Sequence, residues 1–282
     1  MRRHRNIRLK ENFYTISNKY GRTGNNIYQL LEIMRQAEIA NNQINIDKLN
    51  YLNEIIDLKK LVELFNRNKE SKVKKIDDFF PKNLHLPAKR VINVHDYFLL
   101  SEKYIKPCLE LKEKLSSNIA VIHIRSGDIF SSFNHPTPYI QPPLAYYQFI
   151  IDSIEKDCEQ FIIITEPDMR NPVINKLKEY NEKIKIISNS ISDDYSLLLR
   201  AETLILSRSS FSDTSVFLNP NLKNLYFWSY NHCLMDTVVI PKNINFKCIE
   251  LTEKYTTSEE WRSSKEQREL MISYKKEDIV FK

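Results

Sequence analysis

The sequence predicts an α/β protein whose carboxyl-terminal half is built on a parallel sheet. Three observations carry this expectation. Beyond Asn118, short runs rich in Ile, Val, Leu and Phe recur between polar segments. The segments between them place apolar residues at helical spacing. The runs themselves are apolar throughout rather than alternating, as in strands covered on both faces.

Taken in order, Phe13 to Ile16 is an apolar run that reads as a strand. After a turn at Gly21 and Gly24, the residues Ile27, Leu30, Leu31, Met34 and Ile39 predict an amphipathic helix over about 25–40. Leu49, Leu52, Ile55, Ile56, Leu61 and Leu64 predict a second helix, and Val91 to Val94 a second strand. The strands of the later half are Ala120 to Ile124, Phe161 to Thr165, Ile184 to Ser188, Thr203 to Leu206 and Leu225 to Trp228. Helices are expected between and after them at about 144–157, 171–182, 193–201 and 210–218. The expected organisation is an amino-terminal α/β domain at 1–118, a sheet domain at 119–256 and a helical extension at 257–282.

Composition removes several functions. The 282 residues include three glycines, Gly21, Gly24 and Gly127, against roughly 20 at average usage. Neither a G-x-G-x-x-G dinucleotide turn nor a G-x-x-x-x-G-K-[ST] phosphate loop can be written from them. The net charge of +6 is spread through 42 basic and 36 acidic residues, so nucleic acid is not an expected partner. Arg2, Arg3, Arg5, Arg8 and Lys10 read either as a basic tail or as a contact with anionic lipid. Cys108, Cys158, Cys233 and Cys248 lie far apart and form no C-x-x-C pair, which suits free thiols in a reducing compartment. There is no secretory h-region pattern and no run near the roughly 18 apolar residues of a membrane span. The expected location is the cytoplasm, or the cytoplasmic face of a membrane as a peripheral protein.

Ligands of parallel sheets bind at the carboxyl ends of the strands, and here those ends are polar. The first is followed by His123-Ile124-Arg125-Ser126-Gly127-Asp128. Alternation puts His123 and Arg125 on one face, and Gly127 permits a turn that brings Asp128 beside them. Two readings stand: an anion site with a neighbouring carboxylate, or a strand-end ion pair with a buried histidine. Ser209-Ser210-Phe211-Ser212 opens a helix, where backbone N–H groups and the macrodipole favour an anion, or where serine simply caps. Gly21-Arg22-Thr23-Gly24-Asn25-Asn26 also precedes a helix and reads as a close-approach turn or a plain helix start.

In this order, the three clusters resemble the fucosyltransferase superfamily of inverting glycosyltransferases, the α-1,2-, α-1,6- and protein O-fucosyltransferases. The first glycine segment, followed by Gln29, is similar to the family's G-R-x-G-N-Q turn. His123, Arg125, Gly127 and Asp128 match its H-x-R-x-G-D strand end, with Ser126 where many relatives carry a second arginine. Ser209 to Ser212 match its S-S-F-S helix start. The resemblance implies a GT-B-like fold of two Rossmann-like domains, the carboxyl-terminal one holding a GDP-sugar. It implies that Arg125 binds the β-phosphate, that Ser209, Ser210 and Phe211 hold the phosphates, and that Gly24 and Asn25 approach them from the other domain. Asp194 matches a guanine-contacting acid. No metal or further cofactor is implied beyond the donor, expected to be GDP-fucose. Inverting transfer calls for a general base; Asp128 is the first choice, with His123, Glu166 and His135 as alternatives. In the proline-rich segment Phe130 to Tyr147, His135, Tyr139 and Gln141 are candidates for contact with a glycan acceptor, or the segment is a rigid loop packed on the next helix. The expected activity is therefore a glycosyltransferase step in bacterial surface polysaccharide or lipopolysaccharide synthesis; another nucleotide sugar, or a GDP- or glycan-binding homologue without catalysis, are the alternatives.

Overall fold

The computed structural model describes residues 13–15, 23–69, 94–131, 140–229, 243–252, 255 and 263–282. Strands are β1 (Phe13–Thr15), β2 (Gln43–Asn45), β3 (Ile119–His123), β4 (Gln160–Ile164), β5 (Ile184–Ile187), β6 (Thr203–Ile205), β7 (Asn224–Trp228), β8 (Asn245–Leu251) and β9 (Ile279–Phe281). Helices are α1 (Thr23–Ile39), α2 (Leu58–Asn66), α3 (Val94–Leu100), α4 (Leu144–Ile154), α5 (Pro172–Tyr180), α6 (Ile191–Arg200), α7 (Ser210–Leu218) and α8 (Lys265–Ser273).

The protein is a mixed α/β structure centred on a seven-stranded sheet in the order β5-β4-β3-β6-β7-β8-β9. The first six strands are mutually parallel, and β9 runs antiparallel to β8. Numbered along the chain, the six parallel strands follow the 3-2-1-4-5-6 order of doubly wound sheets. Alternation sorts their side chains onto two faces. Val121, Ile162, Ile164, Leu204, Leu225 and Phe227 pack with α6, α7 and α1. Ala120, Ile122, Phe161, Ile163, Tyr226 and Trp228 pack with α4, α5 and α8. Burial on both faces is why the strand runs are apolar throughout.

Helix starts follow from local chemistry. Ser190, Ser209 and Ser264 cap α6, α7 and α8 through their hydroxyls, and Gln267 completes a capping box at α8. Asn171 caps α5, with Pro172 in its first turn. Asn41, at φ 49°, takes the left-handed conformation that stops α1.

The five strands and four helices expected after Asn118 all form, within a few residues at their ends. Elsewhere the structure differs from these expectations. The helix expected through Leu49 to Leu64 is broken: a 3₁₀ segment spans Asp47–Glu54, and α2 restarts where Asp57 accepts from Lys60 N. Ile56 meanwhile bridges to Leu109. Val94, expected in a strand, begins α3, and residues 91–93 lie outside those described. The carboxyl-terminal stretch is not helical throughout; Ile279–Phe281 form β9, which extends the sheet. β2 and β8 were not expected, because Gln43–Asn45 and Asn245–Leu251 mix polar and apolar residues as edge-side strands do. Among the described residues before position 118, the only sheet is the parallel pair β1–β2. The apolar core on the α1/α7 face draws on both sides of that position: Phe217 of α7 meets the rings of Tyr28, Tyr97 and Phe98 at 5.1–6.0 Å. No helix among the described residues is long and apolar enough to cross a membrane. Cys108, Cys158 and Cys248 are buried thiols; Cys233 lies outside the described residues.

Candidate functional site

From β3 the chain winds outward through β4 and β5, then returns to lay β6 on the other side of β3. The carboxyl ends of β3 and β6 therefore flank the topological switch point, where a crevice for ligands opens in this architecture. The residues leaving those two strands are His123 to Asp128 and Leu206 to Ser210.

These two segments are joined through Ser207. Its hydroxyl lies 2.9 Å from His123 Nδ1 and accepts from Arg125 N at 3.2 Å. His123 is only 5% exposed. Burial, and then the charge of Arg125, push its imidazole pKa down to about 3. It is neutral at pH 7 and a weak proton acceptor. Arg125 donates from Nη2 to Asp128 Oδ1 at 3.2 Å. The guanidinium side chain is 14% exposed and the Asp128 side chain 51% exposed. An ion pair with one partner in water contributes little, at most about 1 kcal/mol, so an arriving anion can compete for the arginine fork. Asp128 also accepts from Ile129 N at 3.0 Å, within the 3₁₀ turn Gly127–Phe130. Of His123, Asp128 and Glu166, Asp128 has the most exposed side chain.

Gly127 is required by its backbone, at φ +71°. Around this turn lies a set of bonds that the sequence reading missed. Ser126, fully buried, donates from its hydroxyl to Asp168 Oδ1 at 2.8 Å and accepts from Asn171 N at 3.0 Å. Asp168 also accepts from Gly127 N at 3.1 Å and Arg170 N at 3.3 Å. Asn171 Nδ2 donates to the Arg125 carbonyl at 2.9 Å. Glu166 Oε2 accepts from Ser126 N at 2.6 Å. Burial works against charge on Asp168, yet the bonds from Ser126, Arg170 N and Gly127 N, with the Arg170 guanidinium nearby, hold its carboxyl below the usual range. The loop between β4 and α5 thus clamps the Arg125 turn. The available signal was Ser126 itself: a small hydroxyl where relatives of the resembled family carry arginine.

The third cluster meets the second directly. Gly24 sits in the first turn of α1, and a Cβ built on it would lie 2.3 Å from Ser210 C and 2.4 Å from Phe211 N and Ser210 O. The α1 backbone therefore rests against the first turn of α7. Gly24 is needed for that approach and not for an unusual φ. Ser209 caps α7 by accepting from Phe211 N at 3.3 Å. Ser210, Phe211 and Asn25 are half-buried, at the rim. The Phe211 ring lies 5.4 Å from that of His123 and 5.1 Å, edge-on, from that of Tyr195. The capping reading of Ser209 and the ion-pair reading of Arg125 thus describe local bonds of a place where both segments and Gly24 converge.

The remaining candidates divide. Asp194, at the start of α6, is buried, and it accepts from Asn189 N at 3.1 Å and Asn189 Nδ2 at 3.1 Å. Burial raises its pKa against those bonds, and the charges of Asp193 and Glu166 raise it further. Gln141, expected to face an acceptor, is fully buried and donates from Nε2 to the Arg208 carbonyl at 3.1 Å. Tyr146 Oη likewise donates to the Leu206 carbonyl at 2.9 Å. Both fasten the β6–α7 turn from below. Gly21, His135 and Tyr139 lie outside the described residues.

The site offers an arginine fork, a helix N-terminus and a half-exposed carboxylate around one crevice, which together can bind an anion and accept a proton beside it. No protein-family model matches the chain, and no curated protein matches it in sequence.

Proposed function

We propose that this protein is an inverting, metal-independent glycosyltransferase that moves a sugar, foremost L-fucose from GDP-fucose, to a glycan acceptor. The observation that carries this reading is the convergence of Arg125, the amino terminus of α7 and the Gly24 backbone at the switch point of the sheet. Transfer from a nucleotide sugar needs charge stabilisation where the diphosphate departs, and without a cation a guanidinium and a helix terminus supply it. In the proposed step the acceptor hydroxyl oxygen bonds to the anomeric carbon as the bond from that carbon to the β-phosphate oxygen breaks. GDP leaves with the electron pair, held by Arg125 with Ser209, Ser210 and Phe211. Asp128 takes the hydroxyl proton. Asn25 and Gly24 face the diphosphate from α1, and Asp194 stands toward the base.

In this reading residues 1–118 form the acceptor side of a GT-B-like pair of domains and 119–256 the donor side. His135 and Tyr139 are the candidates for acceptor contact. The setting is bacterial surface polysaccharide or lipopolysaccharide synthesis, in the cytoplasm or at the inner face of the membrane. The test is nucleotide release from GDP-fucose and from a panel of GDP-, UDP- and CMP-sugars with glycan acceptors. Turnover of a sugar other than fucose reassigns the donor. GDP binding without transfer to any acceptor favours a binding homologue, and no binding of any nucleotide sugar ends the proposal. Arg125→Ala is expected to lower transfer at least about 100-fold, the usual scale for losing one charge-stabilising donor; an active variant counts against the assignment.

A further inference from the structure

We infer that Glu166 is the ribose-binding residue of this site, its carboxylate accepting from the sugar hydroxyls of a nucleoside diphosphate; the inference rests on the nucleotide-sugar reading above. Strand register supports it first. His123 pairs with Ile164 across β3 and β4, so Arg125 and Glu166, each two residues further on, leave neighbouring strands level with each other. Ile164 packs on the α1/α7 face with Val121, and just beyond it the Glu166 carboxylate lies beside the Arg125 turn, accepting from Ser126 N at 2.6 Å. Its charge reaches Asp194, where it adds to the raised pKa.

Along the carboxyl edge of the sheet the order is then the α7 terminus after β6, Arg125 after β3, Glu166 after β4 and Asp194 after β5. Neighbouring strands lie about 4.8 Å apart, so the row spans roughly 14 Å. Diphosphate, ribose and base follow one another in a nucleotide just as cation, carboxylate and second carboxylate do here. At the other end of the row, α1 closes backbone to backbone on α7 at Gly24, so the nucleoside extends toward β4 and β5. An acid after the strand beside the phosphate-binding one is also how doubly wound sheets hold ribose hydroxyls.

The test measures binding of GDP, 2′,3′-dideoxy-GDP and inorganic pyrophosphate by calorimetry, for the natural protein and Glu166→Gln. Glutamine keeps an acceptor for Ser126 N. The natural protein is expected to prefer GDP over the dideoxy nucleotide by about tenfold or more, the scale of one hydrogen bond to a charged group. Glu166→Gln is expected to lose most of that preference while binding pyrophosphate as before. A preference kept in full by the variant overturns the inference and leaves the nucleotide reading standing. A parallel fall in pyrophosphate affinity also overturns it, because Glu166 then only anchors the Arg125 turn. No GDP binding by the natural protein overturns both readings.

Discussion

Gly24→Ala sets two local effects against each other with opposite signs. Helix propensity alone favours alanine over glycine by up to about 1 kcal/mol. The contact opposes it: the new methyl would stand 2.3–2.4 Å from three backbone atoms of Ser210 and Phe211, where an unstrained contact needs roughly 3.5 Å or more. One helix must retreat from the other by about 1 Å, and no side-chain rotation relieves backbone against backbone. Neither helix moves freely, since Phe217 of α7 is packed among Tyr28, Tyr97 and Phe98. Overpacking of this kind costs about 1–3 kcal/mol, and the rigid geometry points to the upper end. Set against the propensity gain, the net loss is about 2 kcal/mol, or roughly 4–8 °C in Tm for a domain of this class. Thermal and urea unfolding followed by circular dichroism measure it. A variant as stable as the natural protein, or more so, would show that α1 and α7 do not meet at Gly24 and would remove the Gly24 segment from the site.

Two further perturbations test the clamp and the buried histidine. Ser126→Ala removes the hydroxyl that Asp168 and Asn171 N share, leaving a buried N–H without its acceptor; stability should fall by about 1–3 kcal/mol, read from the urea midpoint, whereas an unchanged midpoint contradicts the clamp. For His123 the folded pKa, about 3, lies below the ordinary 6.5, so the unfolded chain binds the proton more readily. The stabilising contribution of the neutral ring is therefore complete above about pH 6.5 and is lost as pH falls toward 3, with a slope up to roughly 1.4 kcal/mol per pH unit. The difference in unfolding free energy between the natural protein and His123→Gln should shrink as the pH is lowered from 7 to 4, and a constant difference across that range would mean that the imidazole is not held neutral by burial.

The order of strands and helices after Asn118 was legible because each run is apolar enough to be buried on both faces, and because Asn171, Ser190 and Ser209 stand at the right place to cap three of the helices. The polar strand ends were legible for the same reason: an arginine, a histidine and an acid directly after an apolar run have few positions to occupy except the rim. The broken helix after Asp47 was not, since the choice between one helix and two depends on Asp57 capping and on Ile56 finding Leu109, a partner more than fifty residues away. Ser126 looked only like a departure from a motif. Its meaning depends on Asp168 and Asn171, which approach it because β4 lies beside β3. Gln141 could be read as facing a ligand or as part of a packed loop, and tertiary packing decided for the second by burying it beneath the Arg208 carbonyl.

What the sequence by itself determined was local: element type, capping, and which residues stand at strand ends, all set by spacings of a few positions. What tertiary structure decided was which of those ends meet. Strand order brings β6 back beside β3, and the absence of a side chain at Gly24 lets α1 reach α7. Both depend on contacts between residues about eighty to one hundred and ninety positions apart, whose pairing is fixed by the packing of whole faces and not by any local pattern.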